Sequence, residues 1–105
     1  MAKYVYVYSG GNGMPETEAE QQAVMAAWGS WLGGLGEALV DAGNPFGPAK
    51  QVAAGGAVAD GGRSGLTGYS IVAADSLDAA TELAKGCPVL ANDGAVEVYE
   101  TFDVM

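Results

Sequence analysis

Chemistry in this chain has to be built from few parts. There is no histidine, one cysteine (Cys87), and 4 basic residues against 13 acidic ones. Without imidazole, proton transfer near neutral pH falls to a carboxylate or tyrosine with a displaced pKa. Asp41 or Asp60 beside a tyrosine is the conceivable pairing. Cys87 follows a predicted helix C-terminus, where the dipole disfavours a thiolate, and no histidine can activate it. A small buried thiol is the better reading. Arg63 is the only arginine, and with Lys50 it could hold an anionic group of a ligand. Lys50, Asp60, Arg63 and Tyr69 also fit the plainer reading of a solvated hairpin tip. Asp41 and Asn44 could line a pocket mouth, but both residue types bond local backbone at helix ends and turns, and that reading is preferred.

Metal and nucleotide chemistry find little support. Zinc and the transition metals want imidazole or thiolate. Glu16, Glu18 and Glu20 could touch a hard cation, but a solvated helix start explains them better. The strings "SGGNG" and "DGGRSG" have neither the lysine nor the spacing of a phosphate-binding loop. No cofactor is expected.

Aromatic residues are the stronger lead. Tyr4, Tyr6, Tyr8, Tyr69 and Tyr99 all fall on predicted strands. They could line an aromatic pocket, but tyrosine suits packing at a subunit interface, and that reading is preferred. Trp28 and Trp31 stand three apart in "WGSWLGGLG", which is helical spacing, yet Gly29, Gly33, Gly34 and Gly36 sit among them. Each helical glycine costs about 1 kcal/mol relative to alanine. A flank lying close against a sheet or a partner backbone, or a bend, would explain that cost.

The elements that must position these residues follow from patterning. "YVYVYS" (4–9) reads as a strand with Tyr4, Tyr6 and Tyr8 on one face and Val5 and Val7 on the other. Residues 16–43 read as one long helix, with Val24, Trp28, Trp31, Leu35, Ala38, Leu39 and Ala42 in its apolar stripe and a break conceivable near Gly33 and Gly34. Lys50 to Ala59 reads as a strand with a glycine bulge, and "LTGYSIVAA" (66–74) as another strand. A short capped helix follows over 75–86, and a last strand over 95–102. The order β-α-β-β-α-β is that of an α+β, ferredoxin-like antiparallel sheet with two helices on one face. The chain has no element left for the other face. If the tyrosine face of the first strand points away from the helices, a second subunit's sheet is its natural cover.

Composition sets the outer bounds. The 105 residues suit a single domain, 1–105, that pairing would help to stabilise. A net charge of −9 argues against nucleic acid and against anionic membranes. A lone cysteine permits no internal disulfide and fits a cytoplasmic location. "MAKYVYVYSGG" lacks the features of a signal peptide, and no apolar run is long enough to span a bilayer.

Several strings resemble the YCII-related (DGPF-type) small proteins of the dimeric α/β barrel group. These are "MAAWGSWLGGLGEALVDAGNP" (25–45), "LTGYSIVAADSLDAATELAKGCP" (66–88) and "VEVYETFDVM" (96–105). Asp60-Gly61 resembles the start of the DGPF motif, but Gly62-Arg63 replaces its Pro-Phe. The resemblance implies a homodimer with two sheets facing, and a cleft on each subunit between sheet and first helix. Some relatives are lyases or dehydrochlorinases on ring substrates through a His-Asp pair, with the histidine on the first helix. Close relatives often read Cys-Pro-His-Leu where this chain has Cys87-Pro88-Val89-Leu90. The pair therefore does not carry over. The expectation is non-catalytic binding of a small molecule or an accessory role, lined by Tyr8, Trp28, Trp31, Asp60, Arg63 and Tyr69. Alternatives are a lyase or isomerase on a small cyclic acid, using carboxylate or tyrosine, and an interaction module without a ligand.

Overall fold

The computed structural model describes residues 2–11, 15–61 and 65–104. Strand β1 (Ala2–Gly10) leads to helix α1 (Glu18–Leu35) and then to the short strand β2 (Leu39–Asp41). Strands β3 (Lys50–Val52) and β4 (Val58–Asp60) follow, then β5 (Leu66–Ala74), helix α2 (Leu77–Ala84) and β6 (Gly94–Glu100). The main sheet has four strands in the order β2-β5-β1-β6, and every neighbouring pair is antiparallel. With β3 and β4 set aside, this is the ferredoxin-like arrangement expected from the element order.

Local signals place the two helices. The Thr17 hydroxyl accepts from the Glu20 amide and starts α1, with Glu18 and Glu20 in the positive first turn. Ser76 caps α2 in the same way through Ala79.

Two elements differ from the sequence expectation. The long helix does not run to Gly43. It ends at Leu35, because Gly36 takes a φ of 56°, which breaks the helical path. After a 3-10 turn over Gly36–Ala38, residues 39–41 become the edge strand of the main sheet, with Leu39 opposite Val72. Leu35, Ala38 and Leu39 kept three- and four-residue steps across this change, so the spacing concealed it. Lys50 to Ala59 is also not one bulged strand. Gly55 and Gly56 both take positive φ, 92° and 96°, and turn the chain back on itself. The result is the separate β3–β4 hairpin, with Lys50 opposite Asp60.

The tyrosine face of β1 lies under the helices. Tyr4, Tyr6 and Tyr8 are 2%, 0% and 5% exposed, and they form the core with Val72, Ala80, Ala84, Cys87 and Val89. The Tyr6 hydroxyl donates to the Ala80 carbonyl of α2 at 2.5 Å. The condition that the tyrosines point away from the helices is therefore not met. The face without helices carries Val5 and Val7, with Ile71 and Tyr69 opposite them on β5 and Tyr99 and Glu97 opposite them on β6. Among the described residues no helix is long and apolar enough to cross a membrane.

Candidate functional site

A cavity of about 490 Å³ opens between α1 and the β5 side of the sheet. That size falls in the usual range of small-molecule sites. Val24, Met25, Trp28, Gly29 and Leu32 supply the helix wall. The helical steps of three and four place these residues on one side of α1. Tyr8, Gly68, Ser70 and Val89 are buried and make the floor, while Asn44 and Thr67 are exposed at the rim. None of the described wall residues is Asp, Glu, Lys, Arg or His.

Trp28 stands edge-on to the Tyr8 ring, with centroids 5.0 Å apart and planes at 78°. That geometry sets the positive ring edge against the negative face. The segment after β2 closes the cavity's far side by a very close backbone approach. Gly43 has a φ of 75°, and a Cβ there would sit 1.7 Å from the Tyr69 carbonyl oxygen. Only glycine fits. The Gly43 amide donates to the Asp41 carboxylate at 2.8 Å, so Asp41 performs turn chemistry, while Asn44 lines the cavity.

A chain of hydroxyls lies along the floor. The Tyr8 hydroxyl donates to Ser70 Oγ at 2.7 Å, and Ser70 Oγ donates to the Ala42 carbonyl at 2.6 Å. Burial pushes the Tyr8 pKa up to about 12, and the hydrogen bond with Ser70 opposes part of that rise. Burial likewise pushes Tyr6 up to about 12 and the Cys87 thiol up to about 11. At neutral pH these groups are protonated. None is a ready base or nucleophile.

The family model for the YCII-related domain matches residues 5–104. The chain belongs to the YCII-related family. A comparison with curated proteins found no match. In this YCII-related domain Val89 forms part of the cavity floor.

The residues singled out from the sequence separate into groups. Tyr8 and Trp28 meet at the cavity of the YCII-related domain, and Tyr69 is also part of its lining. Strand alternation sends the Tyr69 ring to the face opposite Ser70, where it stacks on Phe46 with centroids 6.0 Å apart. Trp31 does not line this cavity: its ring stacks on Tyr6 at 6.0 Å and its indole N–H donates to the Leu83 carbonyl. Asp60 lies on the hairpin, paired with Lys50 at 2.8 Å, and its side chain is 92% exposed. Arg63 lies outside the described residues. Ser70, Gly43 and Val89 were missed as wall residues, and Asn44 was weighed as a pocket-mouth residue but set aside for turn chemistry. Only Asn44 had a signal in the sequence, through its place after the predicted helix end.

Proposed function

We propose that this YCII-related domain is a non-catalytic small-molecule-binding protein that works as a homodimer, with one binding cavity in each subunit. The observation that carries the reading is the cavity wall: aromatic and aliphatic, with no charged side chain among the described residues. Such a wall gains from burying apolar ligand surface and offers no group poised to move a proton. The Tyr8 phenol, with its pKa near 12, stays neutral.

The dimer reading rests on the sheet face that no helix covers. Val5, Val7 and Ile71 lie there, with Tyr99 51% exposed beside them. Apolar residues in a row on an open sheet fit a second copy of the same face, as the dimeric α/β barrel arrangement would have it.

The catalytic alternative is a lyase or isomerase on a small cyclic acid, acting through a carboxylate or tyrosine, with Asp60 as the carboxylate to test. Asp60 is on the solvated hairpin, so Asp60→Asn should leave any ring-opening or elimination rate unchanged.

Titration with Nile red, a neutral apolar dye, tests the binding reading. Saturable fluorescence enhancement is expected, and Gly29→Trp should abolish it, since nothing lies within 4 Å of a Cβ at Gly29 and the new ring can fill the cavity. Dye binding that is absent in the wild type, or unchanged in Gly29→Trp, overturns it.

A further inference from the structure

The direction of the hydroxyl chain on the floor is fixed by chemistry. A carbonyl oxygen has no proton, so the 2.6 Å contact between Ser70 and Ala42 must use the Ser70 proton. Ser70 then has none left for Tyr8, so the 2.7 Å contact between them must use the Tyr8 proton. Both hydroxyl protons are committed within the protein. What remains on the two oxygens is lone pairs.

Three backbone positions beside the floor offer no free donor either. The Gly43 amide donates to Asp41, the Tyr69 amide to the Asn44 carbonyl, and Pro45 has no amide proton. The other donor side chains of the described lining are the Trp28 indole, whose ring packs on Tyr8 from the helix wall, and the Asn44 amide and Thr67 hydroxyl at the exposed rim. At the buried end the Tyr8 and Ser70 oxygens thus accept hydrogen bonds and do not give them.

We infer that the cavity selects a neutral aromatic molecule carrying an N–H or O–H donor, and binds it donor-first against the oxygens of Tyr8 and Ser70. This rests on the binding reading above and adds a polarity to it. Anions are disfavoured on two counts. The Tyr8 and Ser70 hydroxyls offer them no donor, and no charged residue of the described wall balances them. A ligand that brings only an acceptor to the floor meets lone pair against lone pair. The Trp28 and Tyr8 rings in the lining offer an aromatic molecule edge and face contacts.

The test is a calorimetric comparison of indole with benzofuran, its isostere in which oxygen replaces N–H. Benzofuran is no larger and easier to take out of water, so a featureless apolar cavity would prefer it. The expected result is that indole binds the wild type about tenfold more tightly, the worth of one strong hydrogen bond. In Ser70→Ala the Tyr8 proton is released from its partner and can face the ligand, so the preference should fall to about unity or reverse. A thermal melt of Ser70→Ala establishes that it is folded, and the wild-type comparison stands even if it is not. Equal binding of both probes, or tighter benzofuran, overturns the donor-first inference while the binding reading survives. No binding of either probe, together with no Nile red binding, overturns both.

Discussion

The indole nitrogen of Trp31 donates to the Leu83 carbonyl at 3.1 Å, which ties the second half of α1 to the last turn of α2. The same ring lies over Gly86, whose Cβ, if it had one, would be 3.2 Å from it. Trp31 is therefore a strut between the helices, while Trp28, one turn earlier, is a cavity wall. Trp31→Phe should lower stability by roughly 1–2 kcal/mol, through the lost hydrogen bond and reduced packing. In a domain of this size that is a fall in Tm of about 4–8 °C per kcal/mol. Nile red affinity should be unchanged. A loss of affinity without a loss of stability would place Trp31 in the cavity.

The helical glycines lead to a stabilising prediction. Nothing lies within 4 Å of a Cβ built at Gly33 or Gly34, so neither is required by packing within the chain. The expectation of a glycine flank pressed against the subunit's own sheet is not met. Gly33→Ala and Gly34→Ala should each raise stability by about 0.5–1 kcal/mol in a denaturant titration. Destabilisation in either would mean that a second copy's backbone occupies that flank.

Gly43→Ala should do the opposite. It combines a positive φ with a Cβ 1.7 Å from the Tyr69 carbonyl, so the loop after β2 must move away from β5. A loss of about 3 kcal/mol or more is expected. The shift also moves Ala42, whose carbonyl anchors Ser70, so Nile red binding should weaken in whatever folded protein remains.

How much of this was legible beforehand depends on how local the signal was. The alternation of β1 and the run of β5 were readable because each is a nine-residue strand with period-two burial. The end of α1 was not, because Ala38 and Leu39 continue the helical spacing and one positive-φ glycine decides otherwise. The sheet's β2 strand has only three residues, too few to show a period. Tyr8 and Trp28 were found because large aromatics announce themselves. Ser70, Gly43 and Val89 were not, because their role comes from strand pairing and backbone approach over long sequence separations. Asp60 and Arg63 attracted attention by charge, whereas the described cavity wall is defined by the lack of it.

Alkaline pH should unfold the domain in a defined window. Tyr6 and Tyr8 are raised from 10.0 to about 12, chiefly by burial, so the native state holds their protons where the unfolded chain releases them. Stability from this source is complete below pH 10 and is lost as pH rises from there through about 12. Tyrosine absorbance at 295 nm should therefore show a delayed, steep phase that coincides with unfolding followed by circular dichroism. Smooth titration of all five tyrosines near pH 10 without unfolding would contradict the burial of this face.

The open sheet face makes the last prediction. Val5 sits between Ile71 and Tyr99, so a lysine there points out of the sheet and away from the helices. Its charge meets water in a single chain and is pressed against a matching apolar face in a dimer. Val5→Lys should therefore leave the circular dichroism spectrum intact and shift the sedimenting mass from two chains to one. Because the cavity lies on the helix side, Nile red should still bind the resulting monomer. A wild-type protein that sediments as a single chain at micromolar concentration removes the dimer and makes Val5→Lys a neutral surface change.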